Sequence, residues 1–75
     1  MAVRGKSLHK AAFPSQQRSK LTALRAERIY KGWTQAKLAL LLQASKEEVD
    51  DWENCREFPA SQYHGKIKEL LGVKL

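Results

Sequence analysis

Trp33-Thr34-Gln35-Ala36-Lys37-Leu38-Ala39, followed after a short gap by Ser45-Lys46-Glu47-Glu48-Val49-Asp50-Asp51-Trp52-Glu53-Asn54, decides how the chain folds. Thr34 and Ser45 are each placed to cap a helix, because a hydroxyl oxygen accepts from backbone N–H groups that a first turn leaves unpaired. Leu38, Ala39 and Leu42 fall on one face of the first helix, and Val49 and Trp52 anchor the second. Gln43-Ala44 leaves room only for a tight turn between them. Glu48, three positions after Ser45, completes a Ser-x-x-Glu capping box, so the acids of that first turn have an ordinary structural reason. Asp50 and Asp51 have none that is local to the helix. The pattern is that of a helix-turn-helix. Its second helix, however, carries acids where a groove reader faces a duplex with one negative charge per ~1.7 Å of axis.

Upstream, Leu21, Leu24 and Arg28 share a face at i, i+3 and i+7, and Gly32 suits a left-handed helix end, which predicts a helix over residues 17–31. Downstream, Asn54-Cys55 occupies a place where a left-handed residue is wanted. Beyond Pro59 a fourth helix over residues 60–71 is expected to bury Tyr63, Ile67, Leu70 and Leu71. Residues 1–19, with Gly5, Pro14 and no apolar periodicity, read as a basic extended arm that is disordered when free. The expected fold class is therefore all-α: a compact four-helix domain over residues 20–75 behind that arm. Leu38, Leu42, Val49, Trp52, Phe58 and Ile67 are expected to form its core, since 75 residues can spare no such side chains for a ligand.

Charge is distributed unevenly. Arg4, Lys6, Lys10, Arg18 and Lys20 face no acid in residues 1–20, whereas residues 45–57 hold six acids against Lys46 and Arg56. A polyanion approached from the arm side is the partner this distribution suits. One cysteine excludes an internal disulfide framework, and His9 and His64 lack partners at metal-ligand spacing. No nucleophile has a matched base and no glycine-rich phosphate loop occurs, so a binding module without metal, cofactor or catalysis is expected. Leu38 to Leu42 is too short to span a bilayer, and no apolar run has signal-peptide length, so no membrane partner is expected. The expected location is cytoplasmic, with the nucleus as a second compartment.

Arg28, Thr34-Gln35, Leu38-Ala39, Val49, Trp52-Glu53-Asn54 and Pro59 together resemble the Cro/phage-repressor (Cro/C1) type of helix-turn-helix domain over residues 21–75. That resemblance implies a structural ion pair between Arg28 of the first helix and Glu53 at the close of the third. Glu53-Asn54-Cys55-Arg56-Glu57-Phe58-Pro59, Gln62, Gly65-Lys66-Ile67 and Leu71-Gly72-Val73-Lys74-Leu75 narrow it: they look like the multiprotein bridging factor domain. Arg28, Lys31-Gly32, Thr34-Gln35, Lys37 and Leu38-Ala39 agree with the same family. Trp33 stands where that family usually has leucine, and Cys55 where it usually has glycine. Gly65 in mid-helix costs ~1 kcal/mol against alanine, which leads one to expect a close approach there.

The resemblance implies a ribosome-associated protein that binds ribosomal RNA and small-subunit ribosomal proteins near the side where mRNA enters. It also implies a transcriptional coactivator role, bridging the TATA-binding protein and a basic-zipper activator. Candidate nucleic-acid-binding residues are Arg4, Lys6, Lys10, Arg18, Lys20, Arg25, Lys31, Gln35, Lys37, Lys66 and Lys68. Gln35 has two readings of equal weight, a phosphate contact or a bond to its own helix terminus. The alternative function is a dimeric, sequence-specific DNA-binding repressor of phage or antitoxin type, with Lys46, Glu47 and Asp51 as its readers. A third is a protein-binding adaptor that uses the acidic helix.

Overall fold

The computed structural model describes residues 14–75, so Arg4, Lys6 and Lys10 lie outside the described residues. Four helices follow in order: α1 Ser15–Tyr30, α2 Gln35–Leu42, α3 Lys46–Glu53 and α4 Ser61–Leu71. Among the described residues no strand occurs, and every regular element is a helix.

α1 starts earlier than its apolar periodicity. Pro14 holds φ −53° at the cap, and its carbonyl oxygen accepts from Gln17 N at 2.9 Å and Arg18 N at 3.1 Å. Proline's preset φ leads into a helix without needing its own donor. Residues 15–19, assigned to the arm by sequence, are thus the first turns of α1, and the expected boundary at residue 20 falls inside a helix. Lys31 and Gly32, the latter at φ +75°, end it.

The two short helices are capped as their sequences require. Thr34 Oγ1 accepts from Lys37 N at 3.0 Å; Ser45 Oγ accepts from Glu48 N at 3.0 Å while Glu48 Oε1 accepts from Ser45 N at 2.9 Å. Gln43 turns the chain from α2 to α3 in the left-handed conformation, φ +59°. After α3, Cys55 takes φ +58°, and the reversal returns Arg56 N to Asp51 O at 2.8 Å. Gly72 at φ +73° ends α4 by donating its N–H to Lys68 O at 2.8 Å.

The core draws from every helix. Leu21 and Leu24 of α1 meet Leu38, Ala39 and Leu42 of α2, Val49 and Trp52 of α3, and Ile67 and Leu71 of α4. Val73 closes it beyond the last helix. Each large apolar side chain fully buried contributes roughly 1.5–3 kcal/mol, so this one cluster supplies nearly all the favourable energy of a small domain. Phe58, Tyr63 and Leu70, expected inside, are half-buried at its rim, with the Tyr63 ring 5.1 Å from that of Trp52. Gly65 corrects another expectation: it lies on the exposed side of α4, and a Cβ built there meets nothing within 4 Å.

Candidate nucleic-acid interface

One polar network ties three helices together. Arg28 Nε donates to Glu53 Oε2 at 2.6 Å, Nη2 to Glu53 Oε1 at 2.9 Å, and Nη1 to the Trp33 carbonyl oxygen at 2.7 Å. The Glu53 side chain is only 1% exposed, so its carboxylate needs every one of the donors that reach it. Gln35 Nε2 adds another bond to Glu53 Oε1 at 3.0 Å, and Arg25 Nε reaches within 3.9 Å from a side chain that is 60% exposed. The fork of Arg28 fixes how α1 meets α3, and its third bond fixes the entry into α2.

Gln35 also donates to Asp50 Oδ1 at 3.3 Å. Its amide is therefore directed at two carboxylates within the molecule, neither of them part of its own helix. Asp50 and Asp51 gain the account that helix-local reasoning lacks: Arg56 pairs with both, Nε lying 2.8 Å from Asp51 Oδ1 and Nη2 bonded to Asp50. Asn54 Nδ2 donates to Asp50 Oδ1 at 3.0 Å as well. The Gln35 amide foremost, and then the Arg56 guanidinium, hold the Asp50 carboxyl below its ordinary range against some desolvation. The bond that Arg56 donates to Asp51 is the leading cause that raises its guanidinium. The face that reads in sequence as a run of bare acids is thus partly neutralised from beyond its own helix end.

The candidate cations do not converge on one point. Arg18 and Arg25, seven apart, share a flank of α1 and are exposed. Lys20 lies on the other side of that helix, where Nζ donates to the Leu75 carbonyl oxygen at 2.9 Å. Lys31 places Nζ 5.8 Å from the Trp33 ring centroid, a cation–π contact that fills the position where a leucine would only pack. Lys37 and Lys68 are exposed on α2 and α4. Lys66 pairs with Glu69 at 3.6 Å and lines a groove with Leu40, Gln43 and Gln62.

Three exposed apolar side chains have no place in the sequence-derived set: Ile29, Tyr30 at 85% exposure and Leu40 at 73%. The hydropathy pattern could have marked Leu40, which points outward from a run in which Leu38, Ala39 and Leu42 are buried and Leu41 half-buried. His64 is half-buried, with Nε2 2.8 Å from the Pro59 carbonyl oxygen and its ring edge-on to Phe58. That bond places the proton on Nε2. Among the described residues no group of three or more His, Cys, Asp or Glu side chains is arranged to hold a metal ion, and no helix is long and apolar enough to cross a membrane. Set against known proteins, the chain matches no family model, no curated protein and no solved structure.

Proposed function

We propose that α1–α4 form a Cro/C1-type helix-turn-helix domain, with α2 and α3 as its central pair, and that the protein is a multiprotein bridging factor-like module binding the small ribosomal subunit. The observation that carries this reading is the distribution of charge: no acid precedes Glu27, while Arg4, Lys6, Lys10, Arg18, Lys20 and Arg25 all do. Exposed Arg18 and Arg25 continue that basic segment along one flank of α1. Structured RNA is gripped through phosphates and shape without a helix entering its narrow major groove. The contacts sit on ribosomal RNA and small-subunit proteins near the side where mRNA enters. The same surface serves the coactivator role with the TATA-binding protein and a basic-zipper activator; the ribosomal role belongs to the cytoplasm and the coactivator role to the nucleus.

A second reading, the dimeric sequence-specific repressor, is favoured by one observation: Arg56 covers Asp50 and Asp51, so α3 repels a duplex less than its composition suggests. Glu47 and Glu48 still stand at its first turn, the end nearest the bases when such a helix docks. Sedimentation with ribosomal subunits over a salt series, beside a duplex-DNA shift assay, separates the two. Retention on small subunits and weak, sequence-indifferent duplex binding are expected. Nanomolar affinity for one operator at physiological salt would overturn the ribosomal reading.

A further inference from the structure

Glycine is the poorest helix former after proline, and Gly65 stands in the middle of α4 with φ in the ordinary helical range and no neighbour that a Cβ would touch. Among the described residues nothing requires it. Gln62, Gly65, Lys66 and Glu69 follow at i, i+3, i+4 and i+7, and all four are exposed, so the missing side chain leaves a flat notch in the middle of a solvent-facing stripe. Such a notch lets another backbone or a long side-chain stem approach closely.

A second, independent feature adjoins it. Leu40 projects from α2 at 73% exposure, and a groove of about 400 Å³ runs from Leu40, Leu41 and Gln43 to Gln62 and Lys66. An exposed leucine beside a groove that ends at the glycine stripe makes one continuous surface with a knob and a hole. It carries both signs, Lys66 lying 3.6 Å from Glu69, with exposed Lys68 at its flank. The described surface elsewhere divides into cations on α1 and acids on α3, and beside those one-sign surfaces a mixed-sign stripe is a poor seat for a polyanion. It fits a partner that carries the same pattern.

We propose that this face of α4, with the Leu40 groove beside it, is the contact surface between two copies of this chain related by a two-fold axis. In an isologous contact a residue meets its counterpart's partner in both directions. With two copies of α4 antiparallel and the axis between positions 65 and 66, Gln62 faces Glu69 of the partner subunit. The Lys66 stem then lies over the partner's Gly65, its ammonium directed toward the partner's Glu69, and Leu40 of each copy enters the other's groove. One helix face and a groove are small as interfaces go, so association is weak and concentration-dependent.

Sedimentation equilibrium of the full chain over a wide concentration range tests this. The mass should rise from 8.6 kDa toward twice that value. Gly65→Gln should raise the melting temperature of the monomer, since glutamine is the better helix former and has room, and yet weaken association at least about tenfold. Opposite signs for stability and association are what an external contact produces and an internal one does not. Lys66→Glu should weaken the dimer, and Lys66→Glu with Glu69→Lys should restore it. A mass of 8.6 kDa at every concentration overturns the proposal, as does a dimer indifferent to Gly65→Gln. If the chain stays monomeric and Gly65→Gln instead loses ribosomal subunits, the stripe belongs to another macromolecule, and the proposal is again overturned.

Discussion

Arg28 is the residue on which the arrangement of helices depends most. Its removal leaves the buried Glu53 carboxylate with the Gln35 amide and, at 3.9 Å, an exposed Arg25. Breaking a buried pair by deleting one member costs about 3–5 kcal/mol, as much as the whole stability expected of so small a domain. Arg28→Ala should therefore be largely unfolded at room temperature by circular dichroism; a melting temperature near that of the parent would remove the network from the account of the fold. Asp50 makes a gentler prediction. Its carboxyl is depressed in the folded state, first by Gln35, so the stability it contributes is present above its ordinary value of 3.8 and is lost as pH falls through the folded value. Asp50→Asn should flatten the fall of melting temperature on the acid side and change nothing in its alkaline dependence. A parallel acid limb in parent and variant would contradict this.

At the level of elements, the turn between α2 and α3 carries a non-glycine residue at φ +59°, Gln43, which is exposed and whose substitution sacrifices no packing. The left-handed conformation costs an L-residue roughly 1–2 kcal/mol, partly offset because glycine gains freedom in the unfolded chain. Gln43→Gly should stabilise the domain by up to about 1 kcal/mol, read as a rise of several degrees in melting temperature; a fall would mean that the side chain has a role the turn geometry does not reveal. Helices α2 and α3 are legible in the sequence because their signals are local. Thr34, the Ser45–Glu48 box and the i, i+3, i+4 apolar positions each act within one turn. What escapes is nonlocal or negative. Arg56 reaches Asp50 and Asp51 only because Cys55 reverses the chain, and no periodicity encodes that return. Periodicity places the start of α1 at residue 17, two residues late, because Ser15 and Gln16 bear no apolar side chain for it to detect. Gly65 stands out for the right energetic reason, but sequence does not say whether its neighbour belongs to the same molecule.

For the molecule as a whole, the question is whether polyanion binding separates from folding. Arg4, Lys6 and Lys10 precede every described helix, so replacing all three with glutamine should leave the circular dichroism and melting temperature of the domain unchanged. Every phosphate that a cation no longer neutralises lowers the slope of log affinity against log salt by about 0.7 for a single strand. On the ribosomal reading proposed above, the triple variant should therefore bind small subunits more weakly, with a slope shallower by up to about 2. An unchanged slope would move the binding surface to the helices, where Arg18 and Arg25 are the exposed pair to substitute next. Shortening the chain further is a different experiment: a deletion through residue 19 removes the opening turns of α1 together with the Pro14 carbonyl that caps them.

The approach of Lys31 to Trp33 also gives the protein an optical signal of its own. Its two tryptophans divide by environment, since Trp52 is sealed in the core while Trp33 sits half-exposed beneath an ammonium group. Emission from Trp52 shifts to the red only when the core opens to water. On the proposed reading, emission from Trp33 should respond when Lys31 leaves the ring for a phosphate while the helices stay packed. Unlabelled protein, with Trp52 replaced by phenylalanine, thereby gives a binding trace from Trp33 alone, and the parent with Trp33 replaced by leucine gives an unfolding trace from Trp52.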